Sequence, residues 1–271
     1  MLRVAFQGER GAYSEAAAAY FFKDKIETFP HPTFYDVLES TEKGKADYAI
    51  LPVENSLEGS VGESYDLLLS TNLNVVGEMY HRIRHCLIGF QGLEKIDTVY
   101  SHPQALGQCR KFIQDHKLKA VPAYDTAGSV KILLELKSNN IACIASKKAS
   151  EIYKVPVIKE GIEDNVNNYT RFLFLAKKRQ EKTTKDKTSI IFSIKHIPGA
   201  LYTILEKFNA SKINLTKIES RPTKNTLWEY NFYVDFEGHE SDPPVQDVLE
   251  KIKQNTLFLK VLGSYPRAEL S

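Results

Sequence analysis

The stretch Asp164–Leu175 joins a polar loop to residues that can bind and polarise a small anion. Its sequence, DNVNNYTRFLFL, places Thr170 and Arg171 just before an apolar run that ends at Ala176. Such a run, bounded by turn residues, is typical of a buried strand, so both residues lie where a loop enters a core. Because side chains alternate along a strand, Thr170 and Phe172 share one face and Arg171 lies on the other. Both polar groups reach one cleft only if the strand entrance is bent, and a surface arginine at a strand start is the simpler explanation.

Similar polar clusters stand where other predicted strands end and helices begin. The alternation of strands and helices indicates a parallel α/β sheet, whose carboxyl edge is where ligands bind. Helix N-termini at that edge offer free N–H groups to anions. The clusters therefore predict a cleft for an anionic small molecule, although ordinary helix capping also explains each of them singly. They are Gly8–Ser14, Glu54–Ser60, Ser101–Gln104, Asp125–Ser129 and Ser146.

Composition and charge exclude several classes of protein. The 271 residues are 42% hydrophobic and 26% charged, with a net charge of +2, which is typical of a globular protein and gives no support to a nucleic-acid partner. No apolar stretch approaches the roughly eighteen residues of a membrane span, and the N-terminus has no apolar leader. We therefore expect no membrane association and a cytoplasmic location.

Metal and nucleotide sites also lack their sequence patterns. Cys86, Cys109 and Cys143 are far apart, with no C-x-x-C pair and no clustered histidine, which favours reduced thiols over a zinc site. Gly8–Gly11 is not G-x-G-x-x-G, and no G-K-[ST] follows it. We expect neither a metal nor a nucleotide.

The order of elements predicts three parts. Residues 1–75 and 155–176 form one α/β lobe, and residues 76–154 form a second. Lys177–Lys187 contains no apolar residue and is interpreted as a solvated linker. Residues 188–271 follow the order βαββαβ of a ferredoxin-like domain. Its third strand is predicted at Leu227–Phe236, with Trp228 and the other aromatic residues of the stripe in a core on one side of the sheet. The opposite face is predicted to be open for pairing, with apolar groups at Ile191, Leu227 and Tyr233.

Taken together, the motifs resemble prephenate dehydratase followed by an ACT regulatory domain. Six motifs stand in the family's order along the first 176 residues, and two more stand in the C-terminal part. The C-terminal motif GALY has Tyr202 where the family's GALV motif has valine. The motifs are GERGAYSE (Gly8–Glu15), PVENSLEGSV (Pro52–Val61), SHPQAL (Ser101–Leu106), DTAGS (Asp125–Ser129), IAS (Ile144–Ser146), NYTRF (Asn168–Phe172), GALY (Gly199–Tyr202) and ESRP (Glu219–Pro222).

The resemblance implies a bilobal, periplasmic-binding-protein-like (type II) catalytic domain that converts prephenate to phenylpyruvate without a cofactor. It implies Thr170 as the catalytic residue, because its hydroxyl would donate to the departing hydroxide. The substrate-binding residues it implies are Ser14, Asn55, Ser56, Ser101, Gln104, Thr126, Arg171 and Phe172. It further implies a homodimer or homotetramer that L-phenylalanine inhibits. The residues implied for that inhibitor are Gly199, Ala200, Leu201, Asn214, Glu219, Ser220 and Arg221.

Two alternatives stay open at the level of sequence. Arogenate, which carries an amine where prephenate carries a keto group, is an alternative substrate. A non-catalytic module that binds small anions would share the bilobal cleft, although such proteins are usually exported and no signal peptide is recognisable. Turnover of both substrates by purified protein separates these possibilities.

Overall fold

The structure is a computed structural model that describes residues 1–23, 25–223 and 229–269. The strands are β1 Leu2–Gln7, β2 Ile26–His31, β3 Tyr48–Asn55, β4 Gly59–Ser60, β5 Asn74–Arg82, β6 Cys86–Ile88, β7 Thr98–Ser101, β8 Lys119–Pro122, β9 Ile141–Ala145, β10 Val157–Glu160, β11 Tyr169–Ala176, β12 Asp186–Ser193, β13 Leu215–Pro222, β14 Tyr230–Glu237 and β15 Phe258–Pro266. The helices are α1 Tyr13–Phe21, α2 Phe34–Glu42, α3 Gly62–Ser70, α4 Pro103–Gln108, α5 Arg110–Asp115, α6 Ser129–Leu136, α7 Lys147–Tyr153, α8 Ala200–Ala210 and α9 Pro243–Lys253.

The chain divides into two compact units. Unit 1 comprises Met1–Val61 and Met79–Phe172, and unit 2 comprises Gly62–Glu78 together with the chain from Leu173 onwards. Strands β5 and β11 each contribute residues to both units. Helix α3 therefore belongs to unit 2, although the loop just before it belongs to unit 1.

Two sheets follow the predicted α/β alternation. The first has the order β2-β1-β3-β11-β5, with β4 paired to β3, and β1 runs parallel to both of its neighbours. Its central strands are apolar runs, and Val4, Ala5 and Phe6 of β1 are completely buried, as expected for a sheet covered on both faces. The second has the order β10-β6-β9-β7-β8. Burial of residues such as Leu87 and Ile144 holds helices against it.

The chain passes between these sheets later than the sequence suggests. Strand β5 continues to Arg82 in the first sheet, although the second lobe was expected to begin at residue 76. Strand β10 pairs antiparallel with β6 in the second sheet, although the return was expected at residue 155. Both strands mix apolar and polar residues, and nothing in their local pattern tells which sheet each one joins.

The C-terminal part has the predicted βαββαβ order, with strands arranged β13-β14-β12-β15. Helices α8 and α9 cover one face, where Phe192, Phe208, Phe236 and Val248 form the centre of the core. Leu227 and Trp228, predicted to begin the third strand, lie outside the described residues. The strand itself runs from Tyr230 to Glu237.

The prediction that this sheet has one open face is wrong. Ile191 is completely buried, and Tyr233 is only 4% exposed, because helix α3 packs against that face within unit 2. The Tyr233 hydroxyl donates to the Tyr65 carbonyl at 2.9 Å, and the two rings pack edge to face with centroids 4.9 Å apart. Gly263 leaves room for β5, the strand that follows α3, since a Cβ at position 263 would lie 2.3 Å from the Val75 carbonyl oxygen.

Lysine 260 fixes the end of α3 to the same sheet. Its Nζ donates to the carbonyls of Leu68 at 3.1 Å, Leu69 at 2.9 Å and Thr71 at 2.6 Å. The last carbonyls of a helix have no partner within the helix and carry partial negative charge, so an ammonium group there satisfies and stabilises them. Lys260, on strand β15, thus supplies the hydrogen-bond donor for the C-terminal carbonyls of α3, a helix from a distant part of the sequence.

The predicted linker ends earlier than its composition suggests. Residues 177–185 have no regular secondary structure, but β12 begins at Asp186. The Lys187 ammonium lies 2.8 Å from the Glu78 carboxylate, and the two side chains are 5% and 0% exposed. Lysine is seldom buried without a partner, so the composition of the segment predicts that Lys187 is exposed to solvent. In the structure, Glu78 of β5 supplies the negative charge that allows Lys187 to be buried.

The remaining sequence expectations concern membranes, metals and thiols. No helix in residues 1–23, 25–223 and 229–269 combines the length and apolarity needed to cross a bilayer. Within the same residues, no group of three or more His, Cys, Asp or Glu side chains could hold a metal ion. The three cysteines are buried free thiols, and burial raises the pKa of Cys86 to about 11.

Candidate active site

A cavity of about 470 Å3 opens in unit 1 at the loops that follow the strands of both sheets. Six of the predicted catalytic and substrate-binding residues line it. Thr170 and Phe172 enter from the start of β11, as expected from the alternation of side chains along that strand. The others come from separate loops and helix starts, and they are Ser14, Asn55, Gln104 and Thr126.

Three other predicted residues do not line the cavity. Arg171 is 4% exposed and lies on the opposite face of β11 from Thr170. Ser101 is completely buried, and its hydroxyl donates to the Ile144 carbonyl at 2.7 Å. The Ser56 hydroxyl instead joins two loops, because it donates to Asn167 and accepts the Tyr169 N–H. These two serines hold the walls of the cavity.

Asn55 determines how the Thr170 hydroxyl is oriented. The Asn55 Oδ1 accepts the backbone N–H groups of Leu57 and Glu58, both at 3.0 Å, which fixes the direction of its amide. Its Nδ2 therefore faces Thr170 Oγ1 at 3.1 Å and donates to it. Because this oxygen already accepts a hydrogen bond, the Thr170 proton is available for a group in the cavity.

A second amide pair continues this network behind Asn55. Asn55 Nδ2 also donates to Asn168 Oδ1 at 2.8 Å, and Asn168 Nδ2 donates to Gln108 Oε1 at 2.8 Å. Gln108 Nε2 lies 3.3 Å from Glu58 Oε1, which sets the orientation of the glutamine amide. Asn168 is completely buried and Gln108 is 9% exposed, so these bonds form in a largely desolvated interior, where they are stronger than in water.

His85 and Tyr13 complete the network, and neither was predicted from the sequence. His85 Nε2 lies 2.9 Å from Gln108 Oε1, and its Nδ1 lies 2.9 Å from the Tyr13 hydroxyl. Both residues line the cavity. Burial lowers the pKa of His85 and raises that of Tyr13, so both are neutral in the folded protein at neutral pH. His85 stands where the chain passes from one sheet to the other, a place with no recognisable local motif.

The loop after β1 must come very close to α7 to form the far wall. A Cβ at Gly11 would lie 2.5 Å from the Ala149 Cα, and the backbone φ of Gly11 is +89°, so only glycine fits. The Ser146 hydroxyl, which begins α7, donates to the Gly11 carbonyl at 2.5 Å. This contact presents the first turn of α1, with Ser14, to the cavity.

The charges around the cavity are sparse. Among its described lining residues none is lysine or arginine, and Asp125 is the one carboxylate. Asp125 Oδ1 accepts the Gly128 N–H at 2.7 Å, so it is held by the loop before α6. An anionic ligand must therefore be bound by hydroxyls, amides and the free N–H groups of helix starts such as α1.

The residues predicted to bind phenylalanine fall into two groups in unit 2. Ala200 and Leu201 line a cavity of about 140 Å3 with Lys195, His196 and Tyr230. Gly199 precedes α8 with a φ of +81°. Glu219, Ser220 and Arg221 lie on strand β13 and do not line this cavity, and Arg221 pairs with Asp66 of α3 at 3.0 Å. Asn214 also lies outside it, where its carbonyl accepts the Glu237 N–H.

Known proteins resemble this chain over nearly all of its length. It is 39% identical to the bifunctional chorismate mutase/prephenate dehydratase of Aquifex aeolicus, over 99% of this chain and 75% of that protein. It is 42% identical to arogenate dehydratase/prephenate dehydratase 2 of Arabidopsis thaliana, over 98% of this chain and 73% of that protein. The crystal structure of the prephenate dehydratase of Arthrobacter aurescens in complex with L-Phe superposes with a TM-score of 0.90 at 31% identity, covering 98% of this chain and 90% of that one.

Family sequence profiles divide the chain in the same way as its motifs. The profile described as prephenate dehydratase matches residues 4–180, and the profile described as ACT domain matches residues 188–254. The first match covers more than half of the chain, in agreement with the relatives and with the fold. The chain therefore belongs to the prephenate dehydratase family and carries an ACT domain.

Proposed function

We propose that the chain converts prephenate to phenylpyruvate, with loss of carbon dioxide and water. The observation that carries this proposal is the Thr170 hydroxyl in the cavity, which accepts from Asn55 and keeps its proton for a ligand. As the C–C bond to the ring carboxylate breaks, its electrons enter the ring and the C–O bond to the hydroxyl breaks. One proton converts the departing hydroxide to water, and the ring becomes aromatic. No external electron acceptor is needed.

Thr170 acts in this proposal as an oriented donor to the departing oxygen. An alcohol is a weak acid, so its effect is chiefly a hydrogen bond that strengthens as negative charge develops. One such donor contributes about 3–4 kcal/mol at best. The amide network behind Asn55 supports this role, because it fixes the donor before substrate binds.

The two carboxylates of prephenate are bound by neutral donors. Ser14, Gln104 and Thr126 line the cavity and supply hydroxyl or amide groups. The first turn of α1 adds backbone N–H groups that have no partner within the helix. Arg171 supports β11 from its other face in this proposal and does not hold a carboxylate.

Arogenate is the second candidate substrate, and Asp125 favours it. A carboxylate in a cavity for a dianion is unfavourable unless it faces a cation, and arogenate carries an ammonium group. Turnover of both substrates by the purified chain tests the proposal, and Asp125→Asn is the informative variant. If Asp125 faces the ammonium, this variant loses kcat/KM on arogenate by about tenfold or more and keeps or gains it on prephenate. Equal changes on both substrates would assign Asp125 to the loop before α6, and turnover of neither by the wild type would favour a binding module.

We propose that L-phenylalanine inhibits the enzyme by binding to the ACT domain. The cavity beside Ala200 and Leu201 lies at the start of α8, where free N–H groups suit a carboxylate. Arg221 of the ESRP motif pairs with Asp66 of α3, the helix that directly follows the Asn55 loop in sequence. Inhibition requires that phenylalanine bind one arrangement of the protein better than another, because equal affinity shifts no equilibrium.

Ala200→Trp is expected to remove inhibition and leave an active enzyme. The indole fills the small cavity beside Leu201, so titration calorimetry should detect no phenylalanine binding to this variant. Asn209→Trp, an exposed position on the same helix, is the matched control and should keep full sensitivity. Sensitivity in Ala200→Trp equal to that of the control would move the inhibitor site elsewhere.

We propose that the ACT domain also assembles the protein into a homodimer or homotetramer. Helices α8 and α9 cover one face of the ACT sheet and α3 covers the other, so the edge strand β13 offers the pairing surface. Its Ile218 is 46% exposed. Light scattering with and without phenylalanine measures the state, and a monomer in both conditions would contradict this proposal. The buried, free thiols support a reducing compartment, and we propose the cytoplasm.

A further inference from the structure

The hydrogen bonds that orient Thr170 begin at a histidine. Gln108 Oε1 receives two contacts, from Asn168 Nδ2 at 2.8 Å and from His85 Nε2 at 2.9 Å. The Gln108 Nε2 group donates to Glu58 Oε1, so the amide oxygen of Gln108 is the atom that faces His85. A carbonyl oxygen accepts and cannot donate, so His85 Nε2 must carry a proton.

We propose that His85 is a positioning residue, whose Nε2–H holds Gln108 and, through Asn168 and Asn55, sets the direction of the Thr170 hydroxyl. His85 is 2% exposed, and a chain of three amides connects its ring to Thr170. Each amide has one orientation that satisfies all of its partners. Losing the His85 donor removes one of the bonds that hold Gln108, beside those to Asn168 and Glu58, and so weakens the order of donors and acceptors behind Thr170.

The surroundings of the other ring nitrogen are compatible with a neutral ring that carries its proton on Nε2. Nδ1 lies 2.9 Å from the Tyr13 hydroxyl, which also donates to the Arg84 carbonyl at 3.0 Å. A neutral ring with Nε2–H leaves Nδ1 as an acceptor, so the one Tyr13 proton is shared between Nδ1 and the Arg84 carbonyl. The Glu163 carboxylate accepts the backbone N–H of His85, and burial lowers the pKa of the ring, which keeps it neutral. His85 therefore acts as a fixed donor and transfers no proton.

Three substitutions separate this role from simple packing. His85→Gln can return an N–H to the place of Nε2, His85→Met fills similar space without a donor, and His85→Asn keeps a polar group near Tyr13 only. This experiment rests on the proposed function, and wild-type turnover of prephenate or arogenate is its first check. We expect kcat to fall about 100-fold in the Met and Asn variants, as for a small misplacement of a catalytic group, with KM changed much less. The Gln variant should recover most of kcat.

Each outcome decides the matter. Near-native kcat in His85→Met or His85→Asn would overturn the proposal, and so would a Gln variant as slow as the Met variant. A rise in KM with kcat unchanged would make His85 a substrate contact instead. Nitrogen-15 NMR of histidine-labelled wild type and His85→Gln supplies a readout that needs no turnover. The signal missing from His85→Gln should belong to the Nε2–H tautomer, and the Nδ1–H tautomer would overturn the proposal even if the enzyme turned over neither substrate.

Discussion

Thr170→Ala is expected to lose turnover by about 10²–10³-fold while substrate affinity changes little, because the lost hydrogen bond forms chiefly in the transition state. Fold should be preserved, since Asn55 Nδ2 keeps the Asn168 Oδ1 and the Tyr169 carbonyl as acceptors at 2.8 and 3.2 Å. Steady-state kinetics and circular dichroism of the same preparations measure both properties.

Thr170→Ser is the matched control for that variant. Serine keeps the hydroxyl and its contact with Asn55 but lacks the methyl group that restricts rotation about χ1. We expect kcat to fall by less than about tenfold, since the donor remains. Near-native turnover in Thr170→Ala would assign the residue to the packing of β11, and an equal loss in both variants would assign the effect to the methyl group.

Lys187→Met is expected to reduce the free energy of unfolding by about 3–5 kcal/mol, the cost of removing one member of a buried ion pair. The Glu78 side chain is 0% exposed, and it keeps only part of its support, such as the Ala268 N–H at 3.1 Å. Urea unfolding, compared at the transition midpoint, measures the loss. Methionine preserves much of the volume of lysine, so the effect reports charge and not a cavity.

Two further variants make this test specific. Lys251→Met breaks an exposed pair with Asp247, both 52% exposed, and should cost less than about 0.5 kcal/mol. Adding Glu78→Leu to Lys187→Met removes the stranded charge and should restore much of the stability. A loss below about 1 kcal/mol in Lys187→Met would mean that water or another cation reaches Glu78.

Local periodicity predicted the part of the site that a single strand determines. The alternation in Asn168–Phe172 placed Thr170 and Phe172 on one face, and the structure has both in the cavity. Strand and helix order likewise predicted the βαββαβ domain. These features depend on neighbours in sequence, and the pattern carries that information.

Side-chain direction at loops was not predictable in the same way. Ser14 and Ser101 both belong to polar clusters between a predicted strand and a predicted helix, yet Ser14 lines the cavity and the Ser101 hydroxyl donates to the Ile144 carbonyl. His85 and Gln108 meet from separate segments, and neither carries a local signal. Lys187 is buried because it pairs with Glu78, which lies far earlier in the chain. The composition of its own segment contains no sign of that partner and therefore predicted exposure to solvent.

The attachment of α3 to the ACT sheet affects how the protein can be cut into fragments. A fragment that stops at residue 176 would keep Tyr65 without Tyr233, the α3 carbonyls without Lys260, and Glu78 without Lys187. In the full chain these groups pair with residues that follow position 176. The fragment would lose those partners, so it would either expose Glu78 and the α3 carbonyls to water or unfold. Loss of activity in such a truncation would report lost stability, and regulation is better studied by point substitutions in the full chain.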